Sequence, residues 1–65
     1  MHKYKIDDKV SFMNLFKQSQ EGVIQDLVVT GGNNAYTIEG YDFILLEKNI
    51  IERLSKAVKK NIRAK

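Results

Sequence analysis

The sequence predicts an α+β domain that is mainly β, with four to five antiparallel strands and an amphipathic α-helix at the C-terminal end. Three observations support this fold class. The chain has 65 residues, which is enough for one domain with a modest core. Its middle consists of short runs in which apolar and polar residues alternate, separated by turns rich in glycine and asparagine. The last third instead repeats apolar residues at intervals of three and four, which is the spacing of one helix face.

The first predicted strand covers residues 9–13, where apolar and polar residues alternate. Because Phe12 and Phe16 stand four residues apart, a helix is an alternative for the same stretch. We favour the strand, followed by a loop through residues 14–20 that turns Leu15 and Phe16 inward.

Three further strands are predicted, over residues 22–30, 35–39 and 41–46. The first of them is rich in β-branched residues, which suit a pleated sheet. It ends at the Gly-Gly-Asn-Asn run of residues 31–34, where a positive φ costs little and the chain can reverse. Gly40 allows a tight turn into the last of the three. Short connections of this kind indicate an antiparallel meander.

The predicted helix has one apolar stripe, formed by Ile51, Leu54, Val58 and Ile62. The periodicity starts the helix at Asn49, because Asn49 and Glu52 have the spacing of a capping box. Alternatively, residues 50–54 could extend the sheet by one more short strand. Both interpretations end the helix at about residue 64.

Four segments of this pattern resemble small SH3-like barrels, a group that includes KOW- and Tudor-like domains and many short phage proteins. The segments are Asp8-Lys9-Val10-Ser11-Phe12, Glu21-Gly22-Val23-Ile24, Ala35-Tyr36-Thr37-Ile38 and Leu46-Glu47-Lys48-Asn49-Ile50. Asp7 stands where these barrels usually carry a glycine. The resemblance implies a five-stranded, strongly bent barrel with residues 51–54 in its last strand, so that the helix would begin near Ser55. Barrels of this kind often bind RNA or DNA.

The predicted core contains the apolar members of the alternating and helical patterns. They are Val10, Phe12, Val23, Leu27, Ile38, Phe43, Leu45, Leu54 and Val58. We also expect Tyr36 to pack in the core more than to contact a partner.

Basic residues are concentrated at the C-terminal end. Residues 53–65 carry six cations and no acid, whereas residues 1–52 carry five lysines and eight carboxylates, so regional charges of +6 and −3 give the net charge of +3. The predicted helix would place four of the cations on its solvent face: Lys56, Lys59, Lys60 and Arg63. Such a face can bind phosphates, or it can simply keep a small protein soluble.

These features favour a small binding module that engages nucleic acid or a ribonucleoprotein through the basic helix. The alternative is an adaptor or inhibitor, encoded by a phage or mobile element, that binds a host protein such as an enzyme or part of a defence system. Residues near the turns are candidate partner contacts: Tyr36, Tyr41, Asn33 and Asn34. A third interpretation is a homodimer that forms through the apolar stripe of the helix.

The sequence predicts no catalytic residue, metal ion or cofactor. There is no cysteine, and the carboxylates lack the spacing of a metal-binding loop. The only histidine, His2, lies near the start of the chain, where we expect exposure to solvent. No apolar run approaches the ~18 residues that a membrane span needs. The first residues lack the apolar core of a signal peptide, so we expect a cytoplasmic protein.

Overall fold

The computed structural model describes residues 1–56 as a small antiparallel five-stranded sheet. The strands are β1 (Lys9–Met13), β2 (Ser19–Thr30), β3 (Asn33–Ile38), β4 (Tyr41–Leu46) and β5 (Ile50–Ser55), with one 3₁₀ turn (Glu47–Asn49) before β5. Their order in the sheet is β4-β3-β2-β1-β5, and each strand runs antiparallel to its neighbours. β1 and β4 coincide with the predicted ranges, while β2 and β3 begin earlier than the sequence pattern suggested.

The long strand β2 joins the two halves of the sheet. Its first part pairs with β1, from Ser19 to Val23, and its second part pairs with β3, from Ile24 to Thr30. An irregularity in the β2–β3 register lies just after Ile24, where the partner changes. Because bulges bend and twist a strand, the sheet can curve at this point. The arrangement is compatible with a small β-barrel.

The predicted α+β class is wrong for residues 1–56, which are mainly β, and so are both predicted helix starts, because Asn49 lies in a 3₁₀ turn and Ser55 ends β5. Residues 47–49 form only a 3₁₀ turn, and residues 50–55 then form β5. Ile50 pairs with Phe12 of β1 and is 8% exposed, so strand pairing and burial prevail over the local capping signal. No α-helix occurs within residues 1–56, and none of their helical turns is long and apolar enough to cross a membrane. The rest of the predicted helix, residues 57–64, lies outside the described residues.

The core is built from side chains of all five strands together with Tyr4 of the N-terminal segment. The buried apolar side chains are Tyr4, Val10, Phe12, Ile24, Ala35, Tyr36, Ile38, Leu45 and Ile50. The predicted burial of Val10, Phe12, Ile38 and Leu45 is confirmed, and so is the core position of Tyr36.

Three predicted core residues are exposed: Leu27 by 42%, Phe43 by 49% and Leu54 by 40%. Leu27 lies beyond the irregularity in β2, and Leu54 lies on the outer strand β5 rather than on a helix. Val23 is half-buried. Val58 lies outside the described residues.

A bulge in β4 explains the exposure of Phe43. Tyr36 pairs with Leu45 and Ile38 pairs with Tyr41. A step of two positions along β3 therefore corresponds to a step of four positions along β4. The extra residues interrupt the alternation that would otherwise turn Phe43 inward. The residues on both sides of Phe43 are exposed as well.

The chain turns into β1 at Asp7, where the resemblance led us to expect glycine. Asp7 has φ 76°, in the left-handed region that glycine favours and that aspartate tolerates better than most residues. Its N–H donates to the carbonyl of Ile24 (2.8 Å), and the N–H of Ile24 donates to the carbonyl of Asp8 (2.9 Å). The buried Asp8 carboxylate also accepts from the N–H of Lys5 (3.0 Å) and pairs with Arg53 (3.6 Å). These contacts join the N-terminal segment to β2 and β5.

Candidate functional site

The side chain of Asn14 organises the loop between β1 and β2. Its Oδ1 accepts hydrogen bonds from the N–H groups of Phe16 (2.9 Å) and Gln18 (3.1 Å), and its Nδ2 donates to Oε1 of Gln20 (2.9 Å). The backbone of Asn14 also exchanges hydrogen bonds with Gln18 (2.9 Å) and Lys17 (3.0 Å). Lys17 completes the turn with φ 61°. The loop is therefore ordered by its own hydrogen bonds.

This loop presents two large apolar side chains to solvent. Leu15 is 61% exposed and Phe16 is 76% exposed. The prediction that both turn inward is wrong, because Asn14 closes a tight loop whose tip lies away from the core.

Tyr41 connects the loop to β4. Its hydroxyl accepts a hydrogen bond from the N–H of Leu15 (3.2 Å), and its ring contacts Phe43 edge-on with centroids 5.6 Å apart. On its other side the ring lies 5.0 Å from that of the buried Phe12. We call Leu15, Phe16, Tyr41 and Phe43 the aromatic surface. The core supports it from below through Phe12.

A second feature is a groove of about 480 Å³, lined by the N-terminal segment, the start of β3, the end of β4, the 3₁₀ turn and β5. Its polar lining comes from Lys3, Asn33, Asn34, Glu47 and Lys48, and apolar residues supply the rest.

A chain of hydrogen bonds centred on Tyr36 and Glu47 forms one wall of this groove. The Tyr36 hydroxyl donates a short hydrogen bond to Oε2 of Glu47 and accepts one from the N–H of Tyr4 (3.1 Å). The same Oε2 accepts from the N–H of Lys3 (2.8 Å). The groove wall therefore fixes the N-terminal segment against β3 and the 3₁₀ turn.

The two side chains shift each other's protonation. Burial, followed by the hydrogen bond to Glu47, raises the pKa of Tyr36 to about 12. The hydrogen bond from Tyr36, followed by that from the N–H of Lys3, lowers the pKa of Glu47 below its ordinary value. At neutral pH the hydroxyl therefore keeps its proton and the carboxylate keeps its charge.

His2 adds a further attachment of the N-terminal segment. Its Nε2 lies 2.8 Å from the carbonyl oxygen of Val28 and 3.1 Å from that of Ala35. Both oxygens only accept, so these contacts require a hydrogen on Nε2. The ring also contacts Tyr36 edge-on, with centroids 5.1 Å apart. His2 is half-buried, which corrects the expectation of a solvent-exposed residue.

The available chemistry in the groove is hydrogen bonding and charge pairing. Within residues 1–56, no three histidine or carboxylate side chains are placed together to hold a metal ion. Glu47 is stabilised as an anion by its donors, and Lys3 and Lys48 are exposed cations beside it.

The structure separates the predicted partner contacts into two places. Asn33 and Asn34 line the groove, and Tyr36 lies buried behind it. Tyr41 belongs to the aromatic surface. Of the predicted nucleic-acid contacts, Lys56 is exposed just after β5. The other three lie outside the described residues: Lys59, Lys60 and Arg63.

Sequence reasoning missed Leu15 and Phe16 as surface residues and Glu47 as the partner of Tyr36. The polar residues around Leu15 and Phe16, above all Asn14, could have indicated a tight loop, because asparagine side chains often hydrogen-bond to the backbone of a turn. Nothing in the sequence spacing connects Glu47 with Tyr36, because they meet only through the pairing of β3 with β4.

Comparison of the chain with family models, with curated proteins and with solved structures finds no significant match.

Proposed function

We propose that this chain is a binding module of the small SH3-like barrel type, and that it binds a protein partner through the aromatic surface. Support for the barrel type comes from five strands, a long shared strand β2, and residues 51–54 within the last strand. The first and last of these features are what the resemblance to SH3-like barrels implies.

The observation that carries the proposal is the ordered β1–β2 loop. Loop tips usually carry polar residues, and small proteins seldom collect large apolar side chains at one exposed place without a use for them. Here Asn14 holds the backbone while Leu15 and Phe16 extend into solvent. A partner that covers them would gain about 25 cal/mol for each Å² of apolar surface removed from water. Little ordering of the loop would be needed on binding.

The composition of the aromatic surface favours protein over nucleic acid as its partner. It contains no cation, whereas phosphate contacts depend on lysine and arginine. Aromatic side chains supported by a packed core are typical of the central residues in protein interfaces. Residues 1–56 as a whole carry seven cations and eight acids. We therefore expect a partner segment with apolar side chains at its centre.

Selection from a displayed random-peptide library tests the proposal. Peptides that bind the wild-type protein should contain apolar residues. The Phe16→Ser substitution should lower the affinity for these peptides by about tenfold or more, as expected for a residue at the centre of an interface. Val29→Ser is the matched control, because Val29 is 66% exposed but lies outside the aromatic surface. It should leave binding unchanged.

Two results would overturn the proposal. One is equal binding of the selected peptides to the wild type and to Phe16→Ser. The other is a wild-type dimer in solution that Phe16→Ser converts to the 7.5 kDa monomer, because a second copy would then occupy the surface.

Nucleic-acid binding through the C-terminal cations is a second candidate function. Residues 57–65 carry four cations and no acid, and the exposed Lys56 precedes them. Changing Lys59 and Lys60 to glutamate should abolish retention on single-stranded DNA in ~50 mM salt, where a site for polyanions binds tightly. Lys17→Glu, in the β1–β2 loop, should have no such effect. A wild-type protein that passes through the column unretained would exclude this function.

A further inference from the structure

We propose that the groove binds an acidic peptide segment, with a carboxylate between Lys3 and Lys48 and an apolar side chain against Ile51. This site shares no residue with the aromatic surface, so the inference goes beyond the function proposed above.

The groove has a fixed wall. The carbonyl of Met1 accepts a hydrogen bond from Nδ2 of Asn34 (2.7 Å), the N–H of Lys3 donates to Glu47 (2.8 Å), and the N–H of Tyr4 donates to the buried Tyr36 (3.1 Å). A ligand therefore meets a preformed surface and loses little affinity to ordering of the protein. The volume of about 480 Å³ lies within the range of ligand sites in proteins.

The charges of the groove favour an anion. Within residues 1–56 the ion pairs join Lys9 to Glu21 and Arg53 to Asp8, so neither Lys3 nor Lys48 is paired with a carboxylate. The Glu47 carboxylate already accepts two hydrogen bonds from this chain. Lys3, whose ammonium group lies 5.7 Å from the centroid of the Tyr4 ring, and Lys48 outnumber the single Glu47, so the groove has a net charge of +1.

The apolar lining explains why we expect a peptide. Ile50 is 8% exposed, Ile51 is 53% exposed, and Leu46 beside them is half-buried. A bare anion would leave this surface in contact with water, whereas an apolar side chain next to a carboxylate would cover it. The ligand class is therefore a segment in which acidic and apolar residues alternate.

Nucleic acid fits this groove less well. Base stacking needs an open aromatic face, but the Tyr4 ring in the lining is only 7% exposed. The net charge of +1 from Lys3, Lys48 and Glu47 also suits a single carboxylate better than a run of phosphates.

Fluorescence anisotropy with a labelled peptide of alternating glutamate and leucine tests the site. The wild-type protein should bind it at ~50 mM salt and bind more weakly at ~200 mM, because screening weakens attraction between exposed charges. Changing Lys3 and Lys48 to glutamate should lower the affinity for the peptide by about tenfold or more. A tenfold change in affinity corresponds to a loss of only about 1.4 kcal/mol of binding free energy. Ile51→Ser should also weaken binding.

The matched control changes Lys5 and Lys17 to glutamate. It alters the net charge equally, at two exposed lysines outside the groove, and should leave affinity within about twofold. Phe16→Ser should bind this peptide as the wild type does, which separates the groove from the aromatic surface. If the double glutamate variant does not fold, Lys3→Gln with Lys48→Gln replaces it.

Several outcomes would overturn the inference. They are absence of binding by the wild type, equal binding of a lysine–leucine peptide, and equal loss in the Lys5 and Lys17 control. Binding of an oligothymidylate that is lost when Lys3 and Lys48 are changed to glutamate would assign the groove to nucleic acid instead.

Discussion

β3 and β4 are neighbouring strands of six residues each, yet they differ sharply in burial. β4 is the more apolar in sequence, but only Leu45 in it is buried, whereas β3 buries Ala35, Tyr36 and Ile38. β3 lies between two strands, while β4 is the outer strand and contains the bulge. In these two strands, neighbours and register therefore decide burial more than apolar content does.

The same substitution in each strand gives the largest expected contrast. Ile38→Ala, at a side chain that is 2% exposed, should lower the free energy of unfolding by about 2–5 kcal/mol. Ile44→Ala, at a side chain that is 51% exposed, should cost less than about 1 kcal/mol. Urea denaturation of the two variants beside the wild type measures the difference. Similar losses in both would show that β4 is buried as deeply as β3.

Gly22 tests how tightly β3 packs on the rest of the sheet. A Cβ at this position would lie 2.3 Å from Cγ2 of Ile38, which is closer than real carbon atoms approach. Gly22→Ala should therefore destabilise the protein by about 1–3 kcal/mol, the usual cost of overpacking.

A double variant identifies the cause of that loss. Ile38→Ala removes the clashing methyl group, so Gly22→Ala should cost clearly less in that background than in the wild type. Equal costs in the two backgrounds would mean that the clash with β3 is not responsible.

Tyr36→Phe tests the polar contact that β3 makes with the 3₁₀ turn. Removing the hydroxyl leaves the N–H of Tyr4 without its acceptor and Glu47 without one donor, and should cost about 1–3 kcal/mol. Thermal or urea denaturation near neutral pH measures this loss. A variant as stable as the wild type would show that the hydroxyl contributes nothing net.

The same variant should change the dependence of stability on pH. Because the folded structure raises the pKa of Tyr36 from its ordinary value of 10.0 to about 12, wild-type stability should fall as the pH rises between those values. The lowered pKa of Glu47 supplies stability that is present above its ordinary value of 4.5 and is lost as the pH falls through the folded value. The change of stability with pH should be smaller in Tyr36→Phe than in the wild type, at both alkaline and acidic pH. Identical profiles for the two proteins would contradict this coupling.

The sequence was informative where local pattern and final pairing agree. Alternation located β1 and β4, and the Gly-Gly-Asn-Asn run located the turn before Ala35, where Gly31 and Gly32 have φ of 57° and 79°. The same alternation wrongly placed Phe43 in the core. A bulge arises from the pairing of two strands, so the pattern of residues within one strand cannot predict it. The helix starting at Asn49 failed for a related reason, since Ile50 and Ile51 also fit a strand beside β1.

The candidate sites were less predictable than the strands. Asn33 and Asn34 could be chosen as turn residues, and they do line the groove. Lys3 and Lys48 could not be paired from the sequence, since 45 positions separate them and only the folded N-terminal segment brings them to one groove. The outward orientation of Phe16 depends on side-chain hydrogen bonds of Asn14 that simple hydrophobic patterning ignores.

The two outer strands have a consequence for how this protein behaves when concentrated. In the pairing of β1 with β5 the register shifts twice, and β4 carries its own bulge. A flat, regular edge accepts a foreign strand along its whole length and can seed fibrils, whereas an interrupted edge offers only short stretches of backbone. Despite the exposed Ile44 and Ile51 on these strands, their irregular backbones disfavour growth of a continuous sheet from one molecule to the next.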